Sequence, residues 1–272
     1  MLTIDETKCE KDGICAAVCP TQIIFLNNGN GMPQIKPGAE QMCLSCGHCV
    51  SACPHGALTH DSVDMYESPP IKKELNINLE QTTQFLRSRR SIRNFSGRAV
   101  EKDKIQALIE IARYAPTGSN LQLLEWIVIQ DPAQIRALLD DTVTWMKGLI
   151  QKGPNALFSP YIVPVIRVWD EGYDMILRNT PVLVIAAAPN DADFGMVDVL
   201  LALSYLELAA PKFKMGGCWA GLLHHALRRH QPLRDLVGLT ERLPHYFPMM
   251  LGYPKFKFHR LVERRPPKIS WK

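Results

Sequence analysis

The sequence predicts an α+β chain in two parts, and two observations carry that reading. Seven of its eight cysteines lie within the first 53 residues, in two runs that each close on Cys-Pro. Past residue 80 only Cys218 remains, and helical apolar spacing alternates with short apolar runs of strand length. The 272 residues suffice for a small cysteine-rich unit and a further domain with its own core. The expected division is a cysteine-rich domain at 1–61, a linker at 62–80 and a larger α+β domain at 81–272.

The second cysteine run, Cys43-Leu-Ser-Cys46-Gly-His-Cys49-Val-Ser-Ala-Cys53-Pro54, has the spacing C-x2-C-x2-C-x3-C-P. Three thiolates two residues apart can wrap three iron corners of one cubane, and the fourth cysteine, turned away by the proline, ligates the other cluster. The first run, Cys9-Glu-Lys-Asp12-Gly-Ile-Cys15-Ala-Ala-Val-Cys19-Pro20, keeps that spacing but has Asp12 at its second ligand position. Cys43, Cys46, Cys49 and Cys19 are thus expected to hold one [4Fe-4S] cluster, while Cys9, Asp12, Cys15 and Cys53 surround a second. Zinc sites favour two separated cysteine pairs, and disulfide scaffolds belong to short secreted chains, so both fit the runs less well. A carboxylate is a harder partner for cluster iron than a thiolate. The iron beside it is expected to be labile, so the second site reads either as [4Fe-4S] with Asp12 as an oxygen ligand or as [3Fe-4S] beside a solvated aspartate.

The two runs are followed by matching segments, Pro20-Thr-Gln-Ile-Ile-Phe-Leu and Pro54-His-Gly-Ala-Leu-Thr, each expected to turn into a strand. Asn27 to Pro33, rich in Asn and Gly, is expected to be a hairpin turn. His48 and His55 beside the cysteines are expected to be solvated loop residues. The spacing and repeat resemble the bacterial-type two-cluster ferredoxins, some of which carry C-x2-D-x2-C. The resemblance implies a small pseudo-symmetric α+β fold and supports an exchangeable Asp12 ligand.

Ser68-Pro-Pro70 marks the linker. Beyond it, Glu101 to Tyr114 puts Ile105, Leu108, Ile109 and Ala112 on one helical face. Leu124 to Ile129 and Val182 to Ala188 are expected to be buried strands. Val197 to Ala210 is apolar nearly all round, as a helix inside a larger assembly would be. That stretch is too short, and too interrupted by Asp198, Ser204 and Glu207, to span a bilayer. Residues 1–60 carry a net charge of −2 and the rest +6, too modest an excess to imply nucleic acid. A soluble chain in the reducing cytoplasm, with neither membrane nor nucleic-acid partner, is expected.

Three segments of the larger domain could hold a phosphorylated cofactor. Arg87-Ser-Arg89-Arg90-Ser91-Ile-Arg93 places four guanidiniums and hydroxyls where alternate residues share one side; a phosphate grip and a solvated basic face both fit it. Ala115-Pro116-Thr117-Gly118-Ser119-Asn120-Leu-Gln122 is a polar loop between helix and strand. Met215-Gly-Gly-Cys218-Trp219-Ala220-Gly221 offers small residues that let backbone approach a ring. Cys218 is expected to be a small buried hydrophobe.

In their order these segments, with the basic stretch Gly252 to Pro266, resemble the FMN-dependent nitroreductase family over residues 81–272, and the whole chain resembles its ferredoxin-fused members. The resemblance implies a central, mostly antiparallel sheet flanked by helices, and a homodimer. It implies that Arg89, Arg90, Ser91 and Arg93 meet the FMN phosphate and ribityl chain, completed by one or two of Arg260, Arg264 and Arg265. It implies that Pro116, Thr117, Gly118, Ser119, Asn120 and Gln122 line the flavin, with Trp219 beside it and the Ala220 and Gly221 amides near its ring. Leu123 and Leu124 stand where many family members have proline, a local departure in the turn. Trp145, Phe158, Tyr161, Trp169 and Tyr173 fall where the family covers its flavin; pocket walls and interface packing both fit them.

Clusters move single electrons, whereas flavin exchanges one or two. The expected function is an oxidoreductase that passes electrons through two clusters to FMN and on to a nitroaromatic or quinone. The donor is an external one-electron carrier or NAD(P)H, which must bind transiently because no G-x-G-x-x-G fingerprint is present. FMN N5 is the reacting atom, and no side chain is assigned a catalytic role. The competing readings are a redox relay or sensor serving a protein partner, and a specialised ene or other reductive activity on the same fold.

Overall fold

The computed structural model describes residues 2–63, 68–151 and 159–272, without the side chains of 159–161. Phe158, the Tyr161 side chain and part of the linker lie outside the described residues. Internal contacts divide the chain into two units. The first is Met1–Ile77 with Ser119–Leu121; the second is Asn78–Gly118 with Gln122–Lys272.

In the first unit, β1 (Leu2–Ile4) pairs antiparallel with β4 (Leu58–His60). Strands β2 (Ile24–Leu26) and β3 (Pro33–Ile35) form the hairpin expected around Asn27 to Pro33, closed by Asn27 N–H to the Met32 carbonyl at 2.9 Å. Two short helices, α1 (Ile14–Ala17) and α2 (His48–Ala52), follow Gly13 and Gly47, whose φ values of 75° and 70° lie in the left-handed region. These two glycines occupy equivalent places in the cysteine runs, and they turn the chain into each helix where a side chain would be strained. Cys15, Ile23, Ile24, Val50 and Leu58 form the small core.

The second unit begins with α3 (Leu79–Ser88), whose start is a capping box: Asn78 and Gln81 each accept the other's backbone N–H at 2.9 Å. Helix α4 (Lys102–Ala112) buries Ile105, Leu108 and Ala112, the face the spacing predicts. The order continues through β5 (Glu125–Ile129), α5 (Pro132–Gln151), α6 (Ser159–Asp170), β6 (Val182–Ala188), α7 (Gly195–Ala209), β7 (Gly216–Trp219), α8 (Gly221–Leu227), α9 (Gln231–Leu236) and β8 (His245–Gly252). The sheet runs β5-β6-β8-β7 with every pairing antiparallel.

Strand β6 is buried along its whole length. Leu183, Ile185 and Ala187 face one core with α5 and α8, while Val182, Val184, Ala186 and Ala188 face the other with α4 and α7. The expectation of a second buried strand is corrected at β5: it sits at the sheet edge, is half-buried, and leaves Val128 exposed. Helix α7 buries Val199, Ala202, Leu203 and Leu206 but leaves Val197, Leu200 and Tyr205 exposed in the single chain. Among the described residues no helix is long and apolar enough to cross a membrane.

One buried group sets a pH dependence. His224 of α8 stacks on Phe247 at 4.2 Å between ring centroids, lies edge-on to Tyr246, and its Nδ1 has no hydrogen-bond partner among the described residues. Burial, helped by the charges of Arg228, His225 and Arg229, lowers its pKa to about 4. As pH falls, the unfolded chain therefore takes up this proton first. The stability involved is intact above pH ~6.5 and is lost progressively toward pH 4, by about 3 kcal/mol. Urea unfolding between pH 7 and pH 4 should show that loss, and His224→Phe should flatten it; an unchanged slope would remove His224 as its source.

Candidate cluster and cofactor sites

In the first unit all seven cysteines are free thiols. One cavity is lined by Cys19, Cys43, Cys46 and Cys49, together with Leu44, Ser45 and His60. A second is lined by Cys9, Asp12, Cys15 and Cys53, together with His55. The fold thus brings the fourth cysteine of each run to the first three positions of the other, because α1 and α2 pack side by side with the Cys-Pro turns at their ends.

The donor set suits a cationic, sulfur-seeking group. Burial, reinforced by the neighbouring Cys46 and Cys43, pushes the Cys49 thiol up to about 11. Iron bound there would reverse that penalty by supplying the missing positive charge. Burial also raises Cys15, with Asp12 adding to the effect. Burial works on Cys19 too, but there the Thr21 hydroxyl and the Ile23 and Ile24 N–H groups outweigh it and lower the thiol.

Polar neighbours reach the sulfurs. Ser62 N–H donates to His60 Nδ1 at 3.0 Å, so the neutral ring carries its proton on Nε2, which points at Cys43 Sγ at 3.6 Å. His48 Nδ1 lies 3.5 Å from Cys46 Sγ, and Ala57 N–H donates to Cys53 Sγ at 3.4 Å. Asp12 Oδ1 accepts Ile14 N–H at 3.0 Å, and its Oδ2 lies 3.6 Å from His55 Nε2. His48 and His55 are exposed as expected, but His48 opens helix α2 and is not a loop residue, and each histidine touches a ligand position. His60 went unnoticed in the sequence, because only the β1–β4 pairing brings it to Cys43.

The second unit holds a cavity of about 520 Å³, within the usual range for small-molecule sites. Trp145, Met146, Ile176 and Met250 give it apolar walls, and Cys218, Trp219 and Gly221 form the side contributed by β7 and α8. Arg93, Arg178 and His225 supply its polar groups. Arg178 is set by a tight turn: Asp174, buried, accepts the N–H groups of Ile176, Leu177 and Asn179 at 2.8 Å each. Arg178 also donates to Tyr173 Oη at 3.1 Å. Cys218 is buried as expected, and burial raises its thiol. This set of apolar walls with two guanidiniums suits an aromatic ring system carrying negative charge.

Of the residues expected to contact the flavin, Arg93, Trp219 and Gly221 meet at this cavity. Arg89 instead pairs with buried Glu207 at 2.9 Å, and Glu207 also accepts the Trp219 indole N–H at 3.0 Å. Ser91 lies against the Cys218 thiol. Arg90 donates to the carbonyls of Arg87, Arg89 and Arg260. Arg260, Arg264 and Arg265 lie in the exposed segment after β8, outside the lining, and Glu263 from that segment pairs with Arg87 at 2.8 Å.

The Ala220 N–H is taken by the Pro248 carbonyl at 3.0 Å, and of that pair Gly221 is the residue that lines the cavity. The small size of Gly216 and Gly217 is used for packing: a Cβ there would strike Ile92 or Met249, whereas one on Gly221 would meet open space. Pro116 to Gln122 also lie outside the lining. Thr117 Oγ1 accepts Gln122 N–H at 3.1 Å, and Gly118 N–H donates to buried Asp198 at 3.0 Å. Ser119, Asn120 and Gln122 all have positive φ, near 50–57°. Of the aromatics named in the sequence, Trp145 lines the cavity, Trp169 lies under Arg136, and Tyr173 holds Arg178.

Comparison with known proteins agrees with this geometry. The model of the nitroreductase family matches residues 86–253, and that of the 4Fe-4S dicluster domain matches residues 7–58. A protein of Archaeoglobus fulgidus, provisionally named NADH dehydrogenase/NAD(P)H nitroreductase, is 25% identical over 177 residues, 65% of this chain and 87% of its own. The nitroreductase of Desulfitobacterium hafniense, solved with bound FMN, superposes with a TM-score of 0.56 at 18% identity, over 72% of this chain and 100% of its own. That of Bacteroides fragilis, also with bound FMN, gives 0.54 at 19% identity over the same shares. These two show a shared fold. The match at residues 86–253 spans more than half of the sequence, and the chain therefore belongs to the nitroreductase family, as an oxidoreductase whose family domain follows a 4Fe-4S dicluster domain.

Proposed function

We propose that this chain is an FMN-dependent oxidoreductase whose cluster domain exchanges single electrons with an external donor and whose 520 Å³ cavity admits a small two-electron acceptor of the nitroaromatic or quinone class. The observation that carries the reading is the pairing, in one chain, of two four-ligand cavities with an apolar cavity bearing two guanidiniums. FMN bound there supplies the interchange between one- and two-electron chemistry.

The residues divide the work. Cys19, Cys43, Cys46 and Cys49 hold one cluster, and Cys9, Cys15 and Cys53 hold the second with Asp12 as its exchangeable fourth ligand. Arg93 and Arg178 neutralise the cofactor's negative charge, with Ser91 alongside. Trp145, Met146 and Ile176 exclude water from the ring, and the Gly221 edge lets it approach the backbone closely. The name of the Archaeoglobus relative supports NAD(P)H as an alternative donor at the same cavity. Val197, Leu200 and Tyr205 on the open face of α7 support a homodimer.

Anaerobic optical titration of the purified chain tests the reading. One FMN and two clusters per chain should bleach on addition of a reduced one-electron carrier, and adding a nitroaromatic or quinone should restore the oxidised spectrum. Absence of FMN, or reoxidation by a protein acceptor alone, would overturn it.

A further inference from the structure

We infer that Asn120 is a positioning residue for the cluster of Cys19, Cys43, Cys46 and Cys49, and that its side-chain amide helps set that cluster's reduction potential. The inference rests on the cluster reading above and adds a role that the polar loop's sequence does not suggest. Ser119–Leu121 belongs to the first unit. There the Asn120 Nδ2 group donates to the carbonyls of Leu44 and Ser45, at 3.1 Å each. A primary amide has two N–H donors, and both are used. The opposite amide orientation would set Oδ1 against two carbonyl oxygens, so the hydrogen-bond pattern fixes which way the group points. Only Oδ1 remains, as an acceptor, and the side chain has no donor left for a flavin.

The two carbonyls lie between the ligands Cys43 and Cys46. In a trans peptide the N–H points opposite to its carbonyl, so fixing the carbonyls of Leu44 and Ser45 also fixes the N–H directions of Ser45 and Cys46. Leu44, Ser45 and Cys46 line the same cavity as the four thiols. Hydrogen bonds and dipoles around the sulfurs are a principal control on cluster potential.

Backbone geometry gives independent support. Ser45 has φ 49°, a left-handed conformation that is strained for a non-glycine residue and persists where its surroundings over-determine it. Asn120 has φ 57°, which asparagine tolerates better than most residues. The pair of hydrogen bonds clamps the strained ligand loop from outside.

Asn120→Gly and Asn120→Asp both tolerate the left-handed backbone, and both remove the two donors. They should be compared with the full-length wild type by EPR-monitored redox titration, with iron and acid-labile sulfide counted. Both variants should keep two clusters, but one cluster should titrate lower. At a fixed potential its reduced-to-oxidised ratio should fall about tenfold, equivalent to ~59 mV for one electron. The Asp12-containing site should titrate as in wild type. Wild-type potentials in both variants, equal shifts of both clusters, or failure of both variants to assemble the cluster would each overturn the positioning role. A wild-type chain that takes up no clusters would overturn the cluster reading itself, a result distinct from all three.

Discussion

Replacing Arg93 and Arg178 together by glutamine should weaken FMN binding by roughly 10²–10⁴-fold. Each guanidinium lines the cavity, and each charge-assisted hydrogen bond to an anionic ligand is worth about 1.5–3 kcal/mol. Two such losses sum to about 3–6 kcal/mol, which converts to that range of affinity. Glutamine keeps much of the side chain's length and its hydrogen-bonding capacity, so the experiment isolates the charge. Arg178 should respond well to such a test because the Asp174 turn and Tyr173 hold it in place before any ligand arrives. Fluorescence titration of the FMN-depleted protein reads the change directly. A double variant binding FMN within threefold of wild type would exclude this cavity as the cofactor's charge partner.

Glu207→Ala should cost about 3–5 kcal/mol of folding stability, among the largest single-residue effects expected in the family domain. Glu207 is 6% exposed and accepts from both Arg89 and the Trp219 indole. Removing it leaves a partly buried cation and a partly buried indole donor without their shared acceptor. Glu207→Gln should cost less, since its amide oxygen can still accept one of those bonds. The same geometry separates two roles that the arginine run presents as one. Arg89→Gln should act mainly on stability, by leaving the Glu207 carboxylate buried without its cation. Urea unfolding of the three variants checks the order; a Glu207→Ala loss below about 1 kcal/mol would show that the pair contributes little.

How much could be read from the sequence followed the range of the interactions. Cysteine spacing and the Asn/Gly turn are local, and the first unit follows them closely. Val182 to Ala188 was legible because a run of seven apolar residues suits a strand buried on both faces. Leu124 to Ile129 carried a similar composition, yet β5 lies at the edge; burial of a strand depends on its neighbours, which composition does not name. Helix α3 starts in the last two residues of the expected linker and went unread, although its capping box is written as Asn78-Leu-Glu-Gln81, because its weak apolar content concealed it.

The candidate sites divide in the same way. The thiols could be found from spacing. Asp174, Arg178 and Glu207 could not, because each matters through partners distant in sequence or through a turn without a distinctive motif. Glu207 in particular reads as a polar interruption of an apolar helix until Arg89, 118 residues away, is brought to it. Asn120 was singled out as a flavin contact, but its donors are spent on the Leu44 and Ser45 carbonyls, a partnership no local pattern announces.

Strand β6 has a consequence for how the family domain comes apart. Its alternate residues belong to different cores, so neither core can loosen while the other keeps its full packing against the same backbone. The wall behind the 520 Å³ cavity and the seat of α7 thereby share one cooperative unit. Amide protons of Leu183 through Ala187 should be the slowest to exchange in this domain, with rates that track global unfolding. A substitution that thins one core should register on the far side of the sheet as faster exchange, even where no atom there has moved.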